Sequence, residues 1–265
     1  MSLKKKITSV VICCTMVLGS MSLVFADSAR VVTLGANLSP EQRKTMLKYF
    51  GVNENDAVIL EVNNKEERKY LEGIAPNSQI GTKTYSCAYV EPTKAGSGIN
   101  VKTANITWVT SAMIASTLAS LGITDANCVI AANFPVSGTG ALTGVMKAYE
   151  DATGKPLDEN KKEIATEELV VSGKLGQDIG QDKATGIIND VKTEIIKNNT
   201  SDTNQIANTI NNITNNYNVT LSPEQQKQVK DLMTKISEQN YDYKDMKDAL
   251  NSISNTVNEN LNAIG

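Results

Sequence analysis

The hydrophobic period of this 265-residue chain changes near residue 157, and that change limits the folds available to it. Before residue 157, short apolar runs such as 58–62 alternate with helix-like segments. After it, apolar residues recur at steps of three and four, the spacing of one helix face. Strands alternating with helices favour a layered sandwich whose sheet is partly parallel. We therefore expect an α/β (or α+β) layered sandwich with about four strands over residues 27–155, followed by an all-α helical region over residues 156–265.

The first 26 residues have the pattern of a secretory signal peptide. Lys4, Lys5 and Lys6 precede an apolar run from Ile7 to Phe25, and the small or modest side chains of Val24 and Ala26 suit a signal peptidase. An uncleaved membrane anchor is the alternative, but polar residues shorten the apolar core below the roughly 20 residues that a span requires. We expect a mature chain starting near Asp27, secreted to the exterior of the cell envelope, with no stable membrane span after cleavage.

Charge and composition exclude several classes of function. Removal of residues 1–26 takes away three lysines and no acids, which leaves 23 basic and 29 acidic residues, a net charge of −6. Such a balance argues against nucleic acid as a partner. The chain has no histidine, so catalytic triads and ordinary zinc sites are excluded. We predict no cofactor and no bound metal.

Two cysteines remain in the mature chain, Cys87 and Cys128. In an oxidising compartment such a pair can form a disulfide, which needs Cα atoms about 5.5–6 Å apart. Two buried free thiols are the alternative, because cysteine is often a core residue. The spacing leaves both alternatives open.

The C-terminal region predicts several packed helices. The pentapeptide LSPEQ occurs at Leu38 and at Leu221, and in both places it has the serine, proline and glutamine of a capped helix start. Residues 198–220 are rich in Asn and Thr, as in a linker, but Ile206, Ile210 and Ile213 favour an amphipathic helix. A narrow apolar seam follows in the last helix. Its members are Tyr243, Met246, Leu250, Ile253, Val257, Leu261 and Ile264. This seam predicts self-association through the C-terminal helices.

The best candidate for a ligand site is a turn between a strand and a helix. Its residues are Ser137, Gly138, Thr139 and Gly140. Amides at a helix start can hold an anion, although the turn lacks the full phosphate-loop and dinucleotide patterns, so a tight structural turn is the alternative. The loop 95–98 is a second place for a pocket.

Other polar and aromatic groups are better explained as surface or core. The neighbouring acids at 150–151 and 167–168 point to different helix faces, which indicates solvated surface rather than a catalytic pair. Trp108, Tyr85 and Tyr89 could form a sugar platform, but large aromatic residues are more often core.

Three segments together carry a family resemblance. They are VVTLGANLSPEQRKTML, TYSCAYVEPTKAGSGINV and WVTSAMIASTLASLGITDANCVIAANFPVSGTGALTGVMKAYE, followed by an Asn-rich helical tail. This combination resembles the YpuA-like family of secreted Gram-positive bacterial proteins, also called domain of unknown function 1002. The resemblance implies a cell-envelope setting and no established activity.

These observations favour a non-enzymatic binding or interaction protein of the cell envelope, whose ligand is unidentified. The alternative is a carboxylate-dependent hydrolase acting on cell-wall glycan, since two acids can catalyse that reaction.

Overall fold

The computed structural model describes residues 30–55 and 57–264. The predicted signal peptide, residues 1–26, lies outside the described residues. The strands are β1 (Val31–Gly35), β2 (Val58–Val62), β3 (Cys87–Pro92), β4 (Ile99–Ile106) and β5 (Ala126–Val136). The helices are α1 (Pro40–Phe50), α2 (Asn64–Leu71), α3 (Asn77–Ile80), α4 (Ser111–Ser120), α5 (Thr139–Thr153), α6 (Glu159–Ile179), α7 (Gln181–Asn198), α8 (Thr203–Asn216), α9 (Pro223–Ser237) and α10 (Tyr243–Ile264).

The five strands form one mixed sheet in the order β2-β1-β3-β5-β4. The two outer pairs, β1 with β2 and β4 with β5, are parallel, and β3 runs antiparallel to both β1 and β5. The layered α/β fold followed by helices is therefore confirmed. The expected number of about four strands was one too low, because every apolar run in this region, including the short β1, pairs into the sheet.

Helices cover the sheet on both faces. On one face α1 contributes Met46 and Leu47 to a small core that also contains Val32 and Leu34 of β1. On the other face α5 packs against β1 and β3, and α4 packs against β4, in a much larger core that includes Val31. The close approach of α5 depends on Gly144, where a Cβ would lie 2.5 Å from Thr33 Oγ1. Alternate residues of β1 thus belong to different cores, as the pleat requires.

The central helix is α4, whose residues from Ala112 to Ser120 are all buried. The sequence predicts a buried helix here, and the structure confirms it. The helix lies between the sheet and the helices α6, α7 and α10. The large core continues through α4 from the strands into the helical region, so the two regions share one hydrophobic interior.

The helix starts predicted from sequence are also confirmed. Ser39 and Ser222 each accept a hydrogen bond from the amide of the glutamine three residues later, and each glutamine side chain bonds back to the cap amide. The Asn- and Thr-rich segment forms α8, with Ile206 and Ile210 buried. In that segment periodicity therefore outweighs the weak helix propensity of Asn and Thr.

The seam of the last helix is used within the chain. Met246, Leu250, Ile253 and Val257 are buried, and α10 packs mainly on α7 and α4. The residues on which self-association was predicted to depend therefore already have partners in the same molecule. Self-association itself stays a prediction.

The two cysteines are free and buried. Cys87 pairs with Ala131 and Cys128 pairs with Val90, so their positions on the β3–β5 ladder differ by an odd number of residues. Their side chains consequently lie on opposite faces of the sheet, in different cores, and the disulfide considered above does not form. Burial raises the pKa of Cys87 to about 11 and the pKa of Cys128 to about 12.

Among the described helices, none combines the length and the apolar character that crossing a bilayer requires.

We expect Leu250→Ala to lower the free energy of unfolding by about 2–5 kcal/mol, because it leaves a cavity in the core between α10 and α7. The matched control is Leu261→Ala in the same helix, where the side chain is only partly buried. Denaturant unfolding of both variants checks this. Equal losses at the two positions would contradict the packing of α10.

Candidate functional site

The predicted ligand-binding turn lies against a carboxylate of the chain itself. Gly138 has a φ of +90° and precedes the first residue of α5. Glu67 of α2 is buried beside it and accepts hydrogen bonds from Thr139 Oγ1 at 2.9 Å and Thr84 Oγ1 at 3.0 Å. A Cβ on Gly140 would lie 2.9 Å from Glu67 Oε2. The glycine thus gives the carboxylate room at the helix start, where the helix dipole favours a negative charge.

The remaining groups of this turn bond to a nearby carbonyl. Ser137 Oγ donates to the Gln79 carbonyl at 2.8 Å, and Thr139 Oγ1 lies 3.0 Å from the same oxygen. Gly138, Thr139 and Gly140 are buried. An external ligand at Ser137, Gly138, Thr139 and Gly140 stays a prediction, and such a ligand would have to displace Glu67.

The structure does not bring the two predicted loops together. Loop 95–98 precedes β4, whereas turn 137–140 follows β5, and these two strands are parallel. The loops therefore lie at opposite ends of the sheet. The amide of Gly98 donates to Asp125 Oδ1 at 2.9 Å, so this loop is held by the turn that precedes β5.

The predicted acid pairs point apart, as helix geometry requires. Glu150 forms an ion pair with Lys162 at 2.6 Å and accepts from the Leu157 amide at 2.8 Å. Glu167 forms an ion pair with Lys235 at 2.5 Å at the surface. The interpretation as solvated surface is wrong for Glu168, whose side chain is 1% exposed.

Glu168 belongs to a buried polar cluster with Lys192. The two charged groups are 2.8 Å apart, and the ammonium also donates to the carbonyl of Ser116 at 2.7 Å. The hydroxyls of Ser116 and Ser120 each donate to one oxygen of Glu168 and lie within 3.0 Å of Lys192 Nζ. Burial lowers the pKa of Lys192, and the Glu168 carboxylate opposes that effect. The cluster ties α4, α6 and α7 together.

A sequence signal for this cluster exists but is weak. Lys192 lies on the apolar face of α7, four residues after Ile188 and three before Ile195. A lysine in the middle of such a face indicates a buried cation that needs an acid partner. Nothing local identifies the partner as Glu168, 24 residues earlier.

The aromatic residues do not form one platform. Trp108 is in the large core, where its indole packs against Gly173, so the core interpretation is confirmed for it. Tyr85 and Tyr89 lie on the opposite face of the sheet. Tyr85 stacks edge-on against Phe134, with ring centroids 5.0 Å apart.

A cavity of about 500 Å³ opens between the edge strand β4 and the last helix, and we call it the β4–α10 groove. Its floor is Ser111, Ala112 and Ala115 of α4, and its walls include residues 99–102 of β4 and Ile253 of α10. The small side chains of α4 leave the space open. Clefts at the meeting of two structural units, with apolar walls and a few polar groups, are the usual form of a ligand site.

Two polar side chains of β4, on the face of the sheet opposite to this groove, lack partners. The side chains of Asn100 and Lys102 are exposed, and neither forms a hydrogen bond or ion pair within residues 30–55 and 57–264. Sequence reasoning missed both residues. The only local signal is the alternation of Ile99, Asn100, Val101 and Lys102, which is typical of a half-buried strand and does not show that β4 is an edge. Across those same described ranges, no three cysteine or acidic side chains lie together as metal ligands.

We expect Lys192→Met to lower the free energy of unfolding by about 3–5 kcal/mol, because it leaves the Glu168 carboxylate buried without a counter-charge. The double change Glu168→Gln with Lys192→Met should recover part of this loss. Lys197→Met, at an exposed ion pair of the same helix, is the control and should change stability by less than about 1 kcal/mol. Chemical denaturation measures all three, and a Lys192→Met protein as stable as wild type would contradict the burial of this pair.

We expect Glu67 to make the fold less stable as pH rises through the acid range. Burial raises the pKa of this carboxyl above 4.5, although the hydroxyls of Thr139 and Thr84 oppose the shift. Between the unfolded and folded pKa values the folded state binds more protons, so the unfolding free energy falls as pH rises. Glu67→Gln removes this contribution. Urea unfolding from pH 4 to pH 8 should therefore show a shallower decline for the variant, and parallel curves would contradict the shift.

Comparison with known proteins identifies relatives but no activity. A family model described as "Protein of unknown function (DUF1002)" matches residues 34–253. A relative from Bacillus subtilis strain 168, described as "Uncharacterized protein YpuA", is 36% identical over 228 residues, which cover 86% of this chain and 78% of the relative. No solved structure matches the chain. Because the family model spans both the sheet and most of the helical region, the chain belongs to the DUF1002 family of proteins of unknown function.

Proposed function

We propose that this is an exported protein of the cell envelope that binds a ligand in the β4–α10 groove and works without catalysis. Export rests on residues 1–26, whose lysines, apolar run and terminal Ala26 suit translocation and cleavage. The net charge of −6 after cleavage supports a soluble exterior protein.

The groove carries the binding part of the proposal. Its apolar walls can bury a ligand, and a ligand that extends over the β4 edge can reach the unpaired side chains of Asn100 and Lys102 on the other face of the sheet. A second groove of about 680 Å³ lies between α2, α6 and α9, but its three lysines already have partners, and Lys69 is paired with Glu159. Lys235 is paired with Glu167, and Lys174 donates to the Ile74 carbonyl at 3.1 Å. Ligand binding there would have to break these contacts.

The alternative, a carboxylate-dependent hydrolase acting on cell-wall glycan, has less support. It needs two free carboxyl groups on either side of a sugar. Of the four acids that suggested it, Glu150, Glu167 and Glu168 are each held by a lysine at 2.5–2.8 Å, and Asp151 is exposed beside Glu150.

One experiment in a Gram-positive host tests export and binding together. The full chain should be processed to a protein beginning at Asp27 and recovered with the cell wall. Ser252→Trp, which places an indole in the groove from an exposed position of α10, should move most of the protein from the wall to the medium. Asn255→Trp is the control, because it is equally exposed and lies outside the groove. Mass spectrometry and immunoblots of the fractions measure both.

Each part of the proposal has its own contrary result. Unprocessed protein in the cytoplasm would contradict export. Equal wall retention of the Ser252→Trp and wild-type proteins would contradict binding through the groove. Release of wall fragments by the purified protein, abolished by one carboxylate substitution, would establish the hydrolase instead.

A further inference from the structure

We propose that the ligand of the β4–α10 groove is an extended segment of another protein, which pairs with β4 as a sixth strand of the sheet. This inference rests on the groove assigned under the proposed function, but it does not depend on export. An extended peptide that adds to a free sheet edge gains affinity from main-chain hydrogen bonds and specificity from alternate side chains.

The two edge strands of the sheet, β2 and β4, differ in whether side chains bond to their outward main-chain groups. At the β2 edge, the carbonyl of Glu61 faces away from β1 and accepts a hydrogen bond from Lys147 Nζ at 2.6 Å. At the β4 edge, no such side chain is bonded to the outward main-chain groups within the described part of the chain. Natural proteins usually cover an edge strand, or blunt it with a charge or a bulge. In β4 the bulge at Asn105 and the charge of Lys102 limit edge pairing, but the outward main-chain groups from Ile99 to Thr103 stay uncovered within the described residues.

The register identifies the free main-chain groups. The carbonyl of Gly98 accepts from the Ala126 amide at 3.1 Å, and Ile99 is aligned with Ala126. Main-chain groups of successive residues in a strand point to alternate sides. Those of Asn100 and Lys102 therefore face β5, whereas those of Ile99, Val101 and Thr103 face outwards. Three residues at alternate positions thus offer donors and acceptors to an incoming strand.

The available edge has a definite end. The pairing of β4 with β5 is interrupted between Ala104 and Ile106, where Asn105 has a φ of +58°. The Asn105 side chain crosses to β5 and donates to the Ala132 carbonyl at 2.8 Å. The bulge turns the edge aside after Thr103, so a docked segment of about five or six residues fits the straight part.

The groove provides room for the side chains of such a segment. Side chains of a docked strand alternate between the two faces of the sheet. One set would enter the apolar space between Val101, Ala115 and Ile253. The other set would lie beside Asn100 and Lys102, on the side of the sheet that carries α1.

Charge favours an acidic partner. Lys102 is the one charged side chain of β4, and it is exposed without an ion pair within the described residues. A carboxylate on the docked strand would pair with it. We therefore expect the segment to alternate apolar residues, which face α10, with acidic residues, which face Lys102.

A displayed library of random ten-residue peptides, selected on the purified protein, tests this inference. Selected peptides should alternate apolar and acidic residues, and their binding should slow hydrogen exchange at the amides of Val101 and Thr103. Val101→Pro should weaken a selected peptide at least tenfold, because it removes an outward donor and leaves the bonds to β5 intact. Lys102→Glu should weaken it about fivefold, and Lys44→Glu, an exposed lysine on α1, is the control.

A peptide modification keeps the test decisive if Val101→Pro disturbs the fold. In a docked strand, the amides of alternate residues face β4 and the others face away. N-methylation of the set that faces β4 should abolish binding, and N-methylation of the other set should leave binding unchanged. Equal effects of N-methylating the two sets of amides would overturn the inference. Binding that neither Val101→Pro nor Lys102→Glu changes would also overturn it.

Two other results would identify a different ligand for the groove or for β4. A concentration-dependent dimer that Val101→Pro abolishes would make a second copy of this chain the occupant of β4. Binding of wall glycan that Ser252→Trp blocks, with no slowed exchange in β4, would preserve the proposed function and overturn the peptide inference.

Discussion

The ion pair between Glu168 and Lys192 is the interaction on which the rest of the molecule depends. Burying both charges carries a large desolvation cost, which only a complete set of close partners offsets. These partners come from three helices, because Ser116 and Ser120 of α4 complete the contacts between α6 and α7. The cluster therefore fixes how α4 is rotated. Ser116 and Ser120 of α4 face the ion pair. Ser111, Ala112 and Ala115 of the same helix form the floor of the β4–α10 groove.

Both buried acids show why polar motifs in this chain are poor guides to a ligand site. Turn 137–140 has the features of an anion site, yet Glu67 already supplies the negative group there. Glu168 has the sequence context of a surface acid, yet it neutralises a buried lysine. In each case a residue distant in the sequence satisfies the group. The polar groups that the proposed binding uses lie instead on the edge strand β4, in main-chain atoms that no side-chain motif reveals.

Local signals predicted the fold well, and the failures share one cause. Capping residues at Ser39 and Ser222, the helical spacing of Ile206 and Ile210, and the uncharged run of α4 all act over a few residues, so the sequence displays them directly. The opposite faces of Cys87 and Cys128 depend on the register between β3 and β5, and the free edge depends on strand order. Such long-range pairing leaves no local pattern. For this reason the α/β architecture could be predicted from the sequence, whereas the groove could not.

The connectivity of α4 has a consequence for the order of folding. Ser116 meets Glu168 at a separation of 52 residues and Lys192 at 76, and the carbonyl of Ser120 accepts from Tyr241 at a separation of 121. A ribosome makes the central helix long before it makes any of these partners. Contacts between distant residues form slowly, because a long loop must close first. The chain therefore emerges with its most buried helix uncovered, and it completes its core only when α10 has been made, so the nascent polypeptide stays incompletely folded until then.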